Sequence, residues 1–314
     1  MAINLAEKHR PWGVKATDLS AQLWCEKQLE FSLTKPRIRT FEMRAGEAIH
    51  SDKEKELYDI VEVAPKTKED RILLKLHNTI TAIEGLKDTG IAREIPLLGK
   101  LTSLKVTGIA DEARLKDGKL IILDTKTRKS PTLPRIAQSR ATRFQMMVYK
   151  ELFDEISQGQ YKPEDVLGHY SLTSDSSASH DFIKQHKDLG QELEPNVLKA
   201  AEKAFSLFKE LPIVENLQVR YEHQETKDLI GTDVFNFDYT LFWGDCAFCE
   251  GFWLGKRAAK PVAGHNAWKC SYCQYKNDCE AYRSFMSDPA INPIFSQDTP
   301  PANNRTDNLN TTPD

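Results

Sequence analysis

An α/β fold with a mixed central sheet flanked by helices is expected, and three features of the sequence carry that expectation. Residues 70–86 repeat apolar side chains at helical spacing (Ile72, Leu73, Leu76, Ile80, Ile83). Directly afterwards the period shortens to that of strands, over 91–98, 101–116 and 119–127. Asp117-Gly118, between the last two, is a strong two-residue hairpin signal. The chain has 314 residues and is 40% hydrophobic, enough for a sizeable core, so wholesale disorder is excluded.

The elements follow in order. Thr17 and Asp18 cap a helix that runs to about Leu33 and carries Cys25. A second helix spans 41–58, with Gly46 and His50 one turn apart. The third stops near Gly90. After the hairpin a helix covers 136–153, a polar loop 171–179 and another helix 196–211. Residues 214–221 and 234–237 read as strands around a turn, and the aromatic-rich 239–256 as a helix. From Ser287 the chain is rich in Pro, Asn, Thr and Asp without hydrophobic periodicity. The expected organisation is one folded domain over 1–286 and a disordered tail over 287–314.

No apolar run approaches the roughly 18 residues of a membrane span, and the N-terminus lacks the apolar core of a secretory signal. An intracellular protein is expected, in the nucleus or cytoplasm or the mitochondrion, with no membrane contact. Lys and Arg number 43 against 46 Asp and Glu, so any nucleic-acid contact needs a local patch.

The hairpin is the most informative local feature. With Asp117 and Gly118 as the turn, facing residues sum to 235. Lys116 then faces Lys119, Ala113 faces Ile122, and Asp111 faces Asp124. Directly opposed side chains have Cβ atoms about 4.5–5.5 Å apart. Alternation places Lys126 on the face of Asp124. Two opposed carboxylates repel, and a divalent cation removes that cost. Mg²⁺ takes one or two carboxylates with waters and phosphate oxygens, and a nearby Lys can serve the attacking water or the charge building on phosphate. The segment Lys126–Lys150 adds seven basic residues and no acid, Arg128 and Arg143 among them. That suits a polyanion that is held and cut. Gln145 and Tyr149 share a helix face there and can contact a base or phosphate. His50 is a candidate further metal ligand.

The six cysteines point to metal before disulfides in such a chain. Cys270-x-x-Cys273-x₅-Cys279 needs a fourth ligand. Cys25 would complete a four-thiolate iron–sulphur site. Cys246-x-x-Cys249 with Cys270-x-x-Cys273 would instead fit a zinc ribbon. Spacing leaves both open. The zinc reading goes with a rival function, a catalytically inactive nucleic-acid-binding protein.

Gly46-x-x-x-His50, Gly108-Ile-Ala-Asp111, Leu123-Asp124-Thr-Lys126 and Gln145-x-x-x-Tyr149 occur in the order of the motifs of RecB-type PD-(D/E)XK nucleases, which they resemble. Cys25 and the Cys270–Cys279 run resemble the split iron–sulphur ligation of that group. Asp124-Thr-Lys-Thr-Arg128 and Phe252-Trp-Leu-Gly-Lys-Arg257 resemble the exonuclease V family in particular, across about 17–283. The resemblance implies a restriction-endonuclease-like core and a Mg²⁺- or Mn²⁺-dependent exonuclease on single-stranded DNA, in replication or repair. It implies Asp111, Asp124 and His50 at the metal, Lys126 at the water, and Gln145 and Tyr149 at the strand, which the basic segment with Arg128 and Arg143 is expected to guide. It also implies a [4Fe–4S] cluster on Cys25, Cys270, Cys273 and Cys279. A monomer is expected, with a single-strand-binding protein as partner. Two departures stand out: Ala110 replaces the usual Pro, and Asp124 the commoner Glu.

Overall fold

The hairpin at Asp117-Gly118 seeds a six-stranded sheet. Both turn residues have positive φ, 51° and 74°, as a two-residue turn that matches strand twist requires. The computed structural model describes residues 3–36, 38, 40–58 and 61–296. In chain order the elements are α1 (Leu5–His9), β1 (Val14–Lys15), α2 (Ala16–Trp24), α3 (Glu26–Thr34), α4 (Phe41–Lys55), α5 (Lys68–Thr89), β2 (Ile91–Leu101), β3 (Leu104–Lys116), β4 (Lys119–Arg128), α6 (Ile136–Ser157), α7 (Pro163–Tyr170), α8 (His180–Asp188), α9 (Val197–Phe208), β5 (Val214–His223), β6 (Leu229–Phe235), α10 (Tyr239–Trp253) and α11 (Glu280–Ser287). Short 3₁₀ turns lie at Gly264–Tyr272, Lys276–Asp278 and Asn292–Ser296. The chain divides into two compact units, Met1–Trp24 with Arg39–Ala258, and Cys25–Ile38 with Ala259–Asp314.

The larger unit is α/β, with a mixed sheet flanked by helices. β2 runs antiparallel along one edge of β3, from Leu101↔Leu104 to Ile91↔Arg114. The other edge of β3 is shared. Its end pairs with β4, and its beginning with β1, through Val14↔Val106 and Lys15↔Thr107. β5 pairs parallel with β4, and β6 antiparallel with β5. The parallel β4–β5 pair needs a crossover, which α6 to α9 supply. α6 buries Phe144, Met146, Val148, Leu152 and Phe153 and packs on β2, β3, β4 and β5. The apolar stripe of α5 is buried as its spacing predicts, behind a reciprocal Thr67–Asp70 cap.

Several boundaries differ from expectation. The helix expected from residue 17 to 33 is two helices, because Cys25 adopts extended backbone (φ −166°, ψ 114°) as the residue capping α3. An extended residue cannot continue the i→i−4 ladder, and the chain passes here from one unit to the other. α4 ends at Lys55, short of Tyr58. Two short helices, α7 and α8, lie where the sequence suggested none. Pro163 in the first turn of α7, followed by Glu164 and Asp165, was a readable start signal.

In the smaller unit two distant segments are stitched together. The Glu26 carboxylate accepts from the Lys260 amide at 2.8 Å. The Ile38 amide donates to Gln274 Oε1 at 3.0 Å. Lys35 pairs with Asp278 at 2.8 Å, and Phe31 and Tyr275 stack with centroids 5.5 Å apart. α11 reaches Ser287, and in the 3₁₀ turn beyond it Phe295 meets Tyr282, ring to ring, at 5.5 Å. The remainder of the expected tail, 297–314, lies outside the described residues.

Candidate active site

The β3–β4 ladder runs from Lys116↔Lys119 back to Glu112↔Leu123, in the register the turn implies. One residue further on the ladder has ended, and β3 runs on to meet β1 at Val106 and Thr107. Asp111 and Asp124 stand at that point of divergence. Their side chains are hydrogen-bonded to each other, and Lys126 Nζ donates to Asp124 Oδ1 at 2.9 Å. Asp124 is 1% exposed, while the Lys126 side chain keeps 35%. Across the gap α6 brings Gln145 and Tyr149, with Gln145 Nε2 donating to the Tyr149 hydroxyl at 2.6 Å. Asp111, Lys126, Gln145 and Tyr149 line one cleft of about 800 Å³.

Gly108 explains how Tyr149 gets there. A Cβ at this position would stand 2.7 Å from Tyr149 Cε1, so only glycine lets the ring lie on β3. Gly108→Ala is expected to cost about 1–3 kcal/mol of stability through overpacking and to displace Tyr149. A thermal melt beside an activity assay checks both.

The electrostatics are those of a crowded acidic site. Burial, then the negative charge of Asp124, holds the Asp111 carboxyl well above the usual carboxylate range. Burial alone would make Lys126 easier to deprotonate, but the Asp124 and Asp111 carboxylates outweigh it and keep the ammonium charged. Burial, and then Asp111, also raises the Tyr149 hydroxyl.

Glu94, which sequence reasoning missed, joins this group. It faces Asp111 from β2, between the pairs Arg93↔Glu112 and Ile95↔Ala110, with a positive φ of 50° that non-glycine residues rarely adopt. Burial, with Glu54 and Asp124 next, pushes it up to about 7. Glu54 of α4 lines the same cleft. A raised carboxyl means that the folded chain binds more protons than the unfolded one. Stability from Glu94 is therefore present at low pH and falls as pH rises from 4.5 to about 7. Glu94→Gln should flatten that part of the decline and raise Tm at pH about 8 in EDTA, as thermal melts across pH would show.

The other candidate residues divide. α4 lies beside β4, with Thr127 Oγ1 3.7 Å from where a Gly46 Cβ would stand; the His50 side chain lies outside the described residues. Arg143 is engaged elsewhere, clamping Asp233 of β6 at 2.6 and 2.8 Å and lying 4.9 Å from the centroid of Phe235. Arg128 sits half-buried at the end of β4 and does not line the cleft. Four of the seven basic residues of 126–150 are thus spent on ion pairs. Lys126, Arg140, Arg143 and Lys150 pair with Asp124, Asp245, Asp233 and Asp154. All four acids lie outside the run, and two of them, Asp233 and Asp245, come from distant elements, where a local count cannot see them.

In the smaller unit Cys25, Cys270, Cys273 and Cys279 are mutual neighbours. Burial, followed by the other three thiols, pushes Cys270 up to about 12. Cys25 receives backbone hydrogen bonds from Gln28, Val262 and Lys27, and Cys273 one from Tyr275. Cys246 and Cys249 are buried in α10 of the larger unit at 3% and 0% exposure, and the charged neighbours of Cys246 are Asp245 and Glu151. Among the described residues no three His, Cys, Asp or Glu side chains are gathered tightly enough to hold an ion.

A family model described as "Exonuclease V - a 5' deoxyribonuclease" matches residues 7–119, 112–208 and 196–282. The chain belongs to the exonuclease V family. As a member it is a nuclease, a hydrolase acting on DNA. An exonuclease V of Danio rerio is 32% identical over 286 residues, covering 87% of this chain and 71% of its own. Mitochondrial exonuclease V proteins of two Candida albicans strains are 27% identical over 79 residues, 25% of this chain and 12% of theirs. The crystal structure of SSO0001 aligns over 86% of both chains at 14% identity with a TM-score of 0.37. Among the described residues of this exonuclease V family member, no helix is long and apolar enough to cross a membrane.

Proposed function

We propose that the chain is a single-stranded DNA exonuclease with a PD-(D/E)XK-type core that hydrolyses phosphodiester bonds with a divalent metal. The observation that carries this reading is the Asp111–Asp124–Lys126 group at the parting of β3 and β4, beside the cleft that Gln145 and Tyr149 also line. A cleft of about 800 Å³ lies in the range of sites for small ligands, room for a nucleotide or two.

The donor set fits a hard cation. Two carboxylates in hydrogen-bond contact repel once both are ionised, and oxygen donors in this number suit Mg²⁺ or Mn²⁺. Asp111 and Asp124 would hold the ion, with His50 as a further ligand. Once bound, the metal supplies Lewis acidity and a water of lowered pKa. The rest falls to the chain. Lys126, kept charged by its two acids, offers positive charge to the phosphate oxygens as negative charge builds. Tyr149 accepts from Gln145, which leaves its own proton for a phosphate oxygen. Tyr149→Phe removes that donor and is expected to lower kcat about tenfold, the worth of one hydrogen bond, measured by single-turnover cleavage.

The four neighbouring thiols of the smaller unit suit a [4Fe–4S] cluster. N–H groups aimed at the sulphurs of Cys25 and Cys273 stabilise thiolates and tune such clusters. The cluster would staple α3 to the Cys270–Cys279 segment. An enzyme that digests single strands from an end serves DNA replication or repair, beside a single-strand-binding protein, and the mitochondrial relatives support action in that organelle.

The test is anaerobic purification followed by incubation with Mg²⁺ and single-stranded DNA labelled at either end. Asp124→Ala and Lys126→Ala run alongside, with absorbance recorded at about 400 nm, where iron–sulphur clusters absorb. Metal-dependent cleavage lost in both variants, with a brown chromophore, is the expected result. A colourless protein that binds DNA and never cuts it would favour the inactive binding protein.

A further inference from the structure

The cleft that holds Asp111 and Lys126 continues along β3 to a second set of side chains, among them Trp12, Lys15, Arg71, Lys75 and Tyr170. Lys15 pairs with Thr107, four residues before Asp111. At about 3.3 Å per strand residue it lies roughly 13 Å from the carboxylates. Arg71 and Lys75 are four apart on α5 and share a face. Lys75 Nζ stands 5.8 Å from the centroid of the Tyr170 ring. Burial, and then the charge of Lys15, makes Lys75 easier to deprotonate, so the two ammonium groups feel one another.

These three cations differ from the basic residues of 126–150. Among the described residues none of them forms an ion pair, whereas Lys126, Arg140, Arg143 and Lys150 all do. Like charges that share one arm of a cleft and pair with no acid repel, and a bound anion reverses the sign. Beside them stands an aromatic surface in a fixed loop. Trp12 is 38% exposed, its carbonyl lies 3.2 Å from His169 Nε2, and Gly13 behind it is packed against His169, Thr107 and Lys105. An indole held this way can stack on a base.

We propose that this arm of the cleft seats the leading nucleotide of the DNA strand. Lys15, Arg71 and Lys75 hold its 5′-terminal phosphate, and Trp12 stacks on its base. A terminal phosphate monoester carries about −1.5 to −2 charge, against the single charge of an internal diester, which is what three unpaired cations select. The inference rests on the carboxylate end being the cutting site, and it makes the distance between the two ends the ruler from strand terminus to scissile bond.

The test is binding in EDTA, where no cleavage occurs. Single-stranded oligonucleotides with a 3′ fluorophore and either a 5′-phosphate or a 5′-hydroxyl are titrated by anisotropy. The wild type is expected to prefer the 5′-phosphate roughly tenfold. Lys15→Gln and Lys75→Gln should each remove most of that preference. The slope of log affinity against log salt should shrink by about 0.7 per lost phosphate contact. Trp12→Ala should weaken both oligonucleotides alike, and Trp12→Phe should restore most of the loss. Equal binding of the two ends by the wild type overturns the proposal. So does an equal loss for both oligonucleotides in the lysine variants, which would mark the cations as an internal phosphate site. Failure of the nuclease reading is separate, since it shows as wild-type protein that does not cut in Mg²⁺ whatever its end preference.

Discussion

Asp124→Asn is expected to abolish cleavage while leaving the fold intact. The side chain is 1% exposed, and asparagine matches its shape, so no cavity forms. What changes is charge. The metal would lose one of two carboxylates, and Lys126 would lose the partner that accepts its proton at 2.9 Å. Removing metal-derived stabilisation worth about 4 kcal/mol lowers the rate about 10³-fold. Stability should hold or rise, because the variant also relieves the repulsion that raises Asp111. Turnover of labelled single-stranded DNA beside a thermal melt separates these effects. Activity within tenfold of wild type would show that Asp124 holds nothing the reaction needs.

The second large effect is expected in the smaller unit. Cys270→Ser should strip the proposed cluster, taking iron from about four per chain toward zero and the absorbance at about 400 nm with it. The segments around α3 and Cys270–Cys279 would then be held only by contacts such as Lys35–Asp278, an exposed ion pair of the kind worth about 0–1 kcal/mol. Limited proteolysis should cut this unit first, at a temperature that leaves the sheet intact. Cys249→Ser is the control. Its thiol is buried in α10 of the larger unit, so the variant should be destabilised slightly and keep its iron. Loss of metal from Cys249→Ser, with iron-free wild-type protein, would instead establish the zinc ribbon.

Some of this site was legible in the linear order of residues. The hairpin register needs only a two-residue turn, since that turn fixes which residues oppose each other on either side. It placed Asp111 against Asp124 and Lys126 on their face. The buried stripe of α5 was legible for the same reason, because helical periodicity is local. The break at Cys25 was not, because nothing within a turn of that residue forbids helix; the chain leaves one unit for the other there.

The features readable from residue order were local: the turn and the amphipathic stripe, both set by dihedral preference and side-chain spacing. The tertiary structure decided which charges were spent. Arg143 looked available and is clamped by Asp233 from β6, while Lys15, Arg71 and Lys75, scattered over two distant segments, meet on one cleft and, among the described residues, pair with no acid. Glu94 became part of the site only because β2 lies against β3 with that residue opposite Asp111. Charge pairing depends on distance in space and not along the chain, so no reading of neighbours in sequence reaches it.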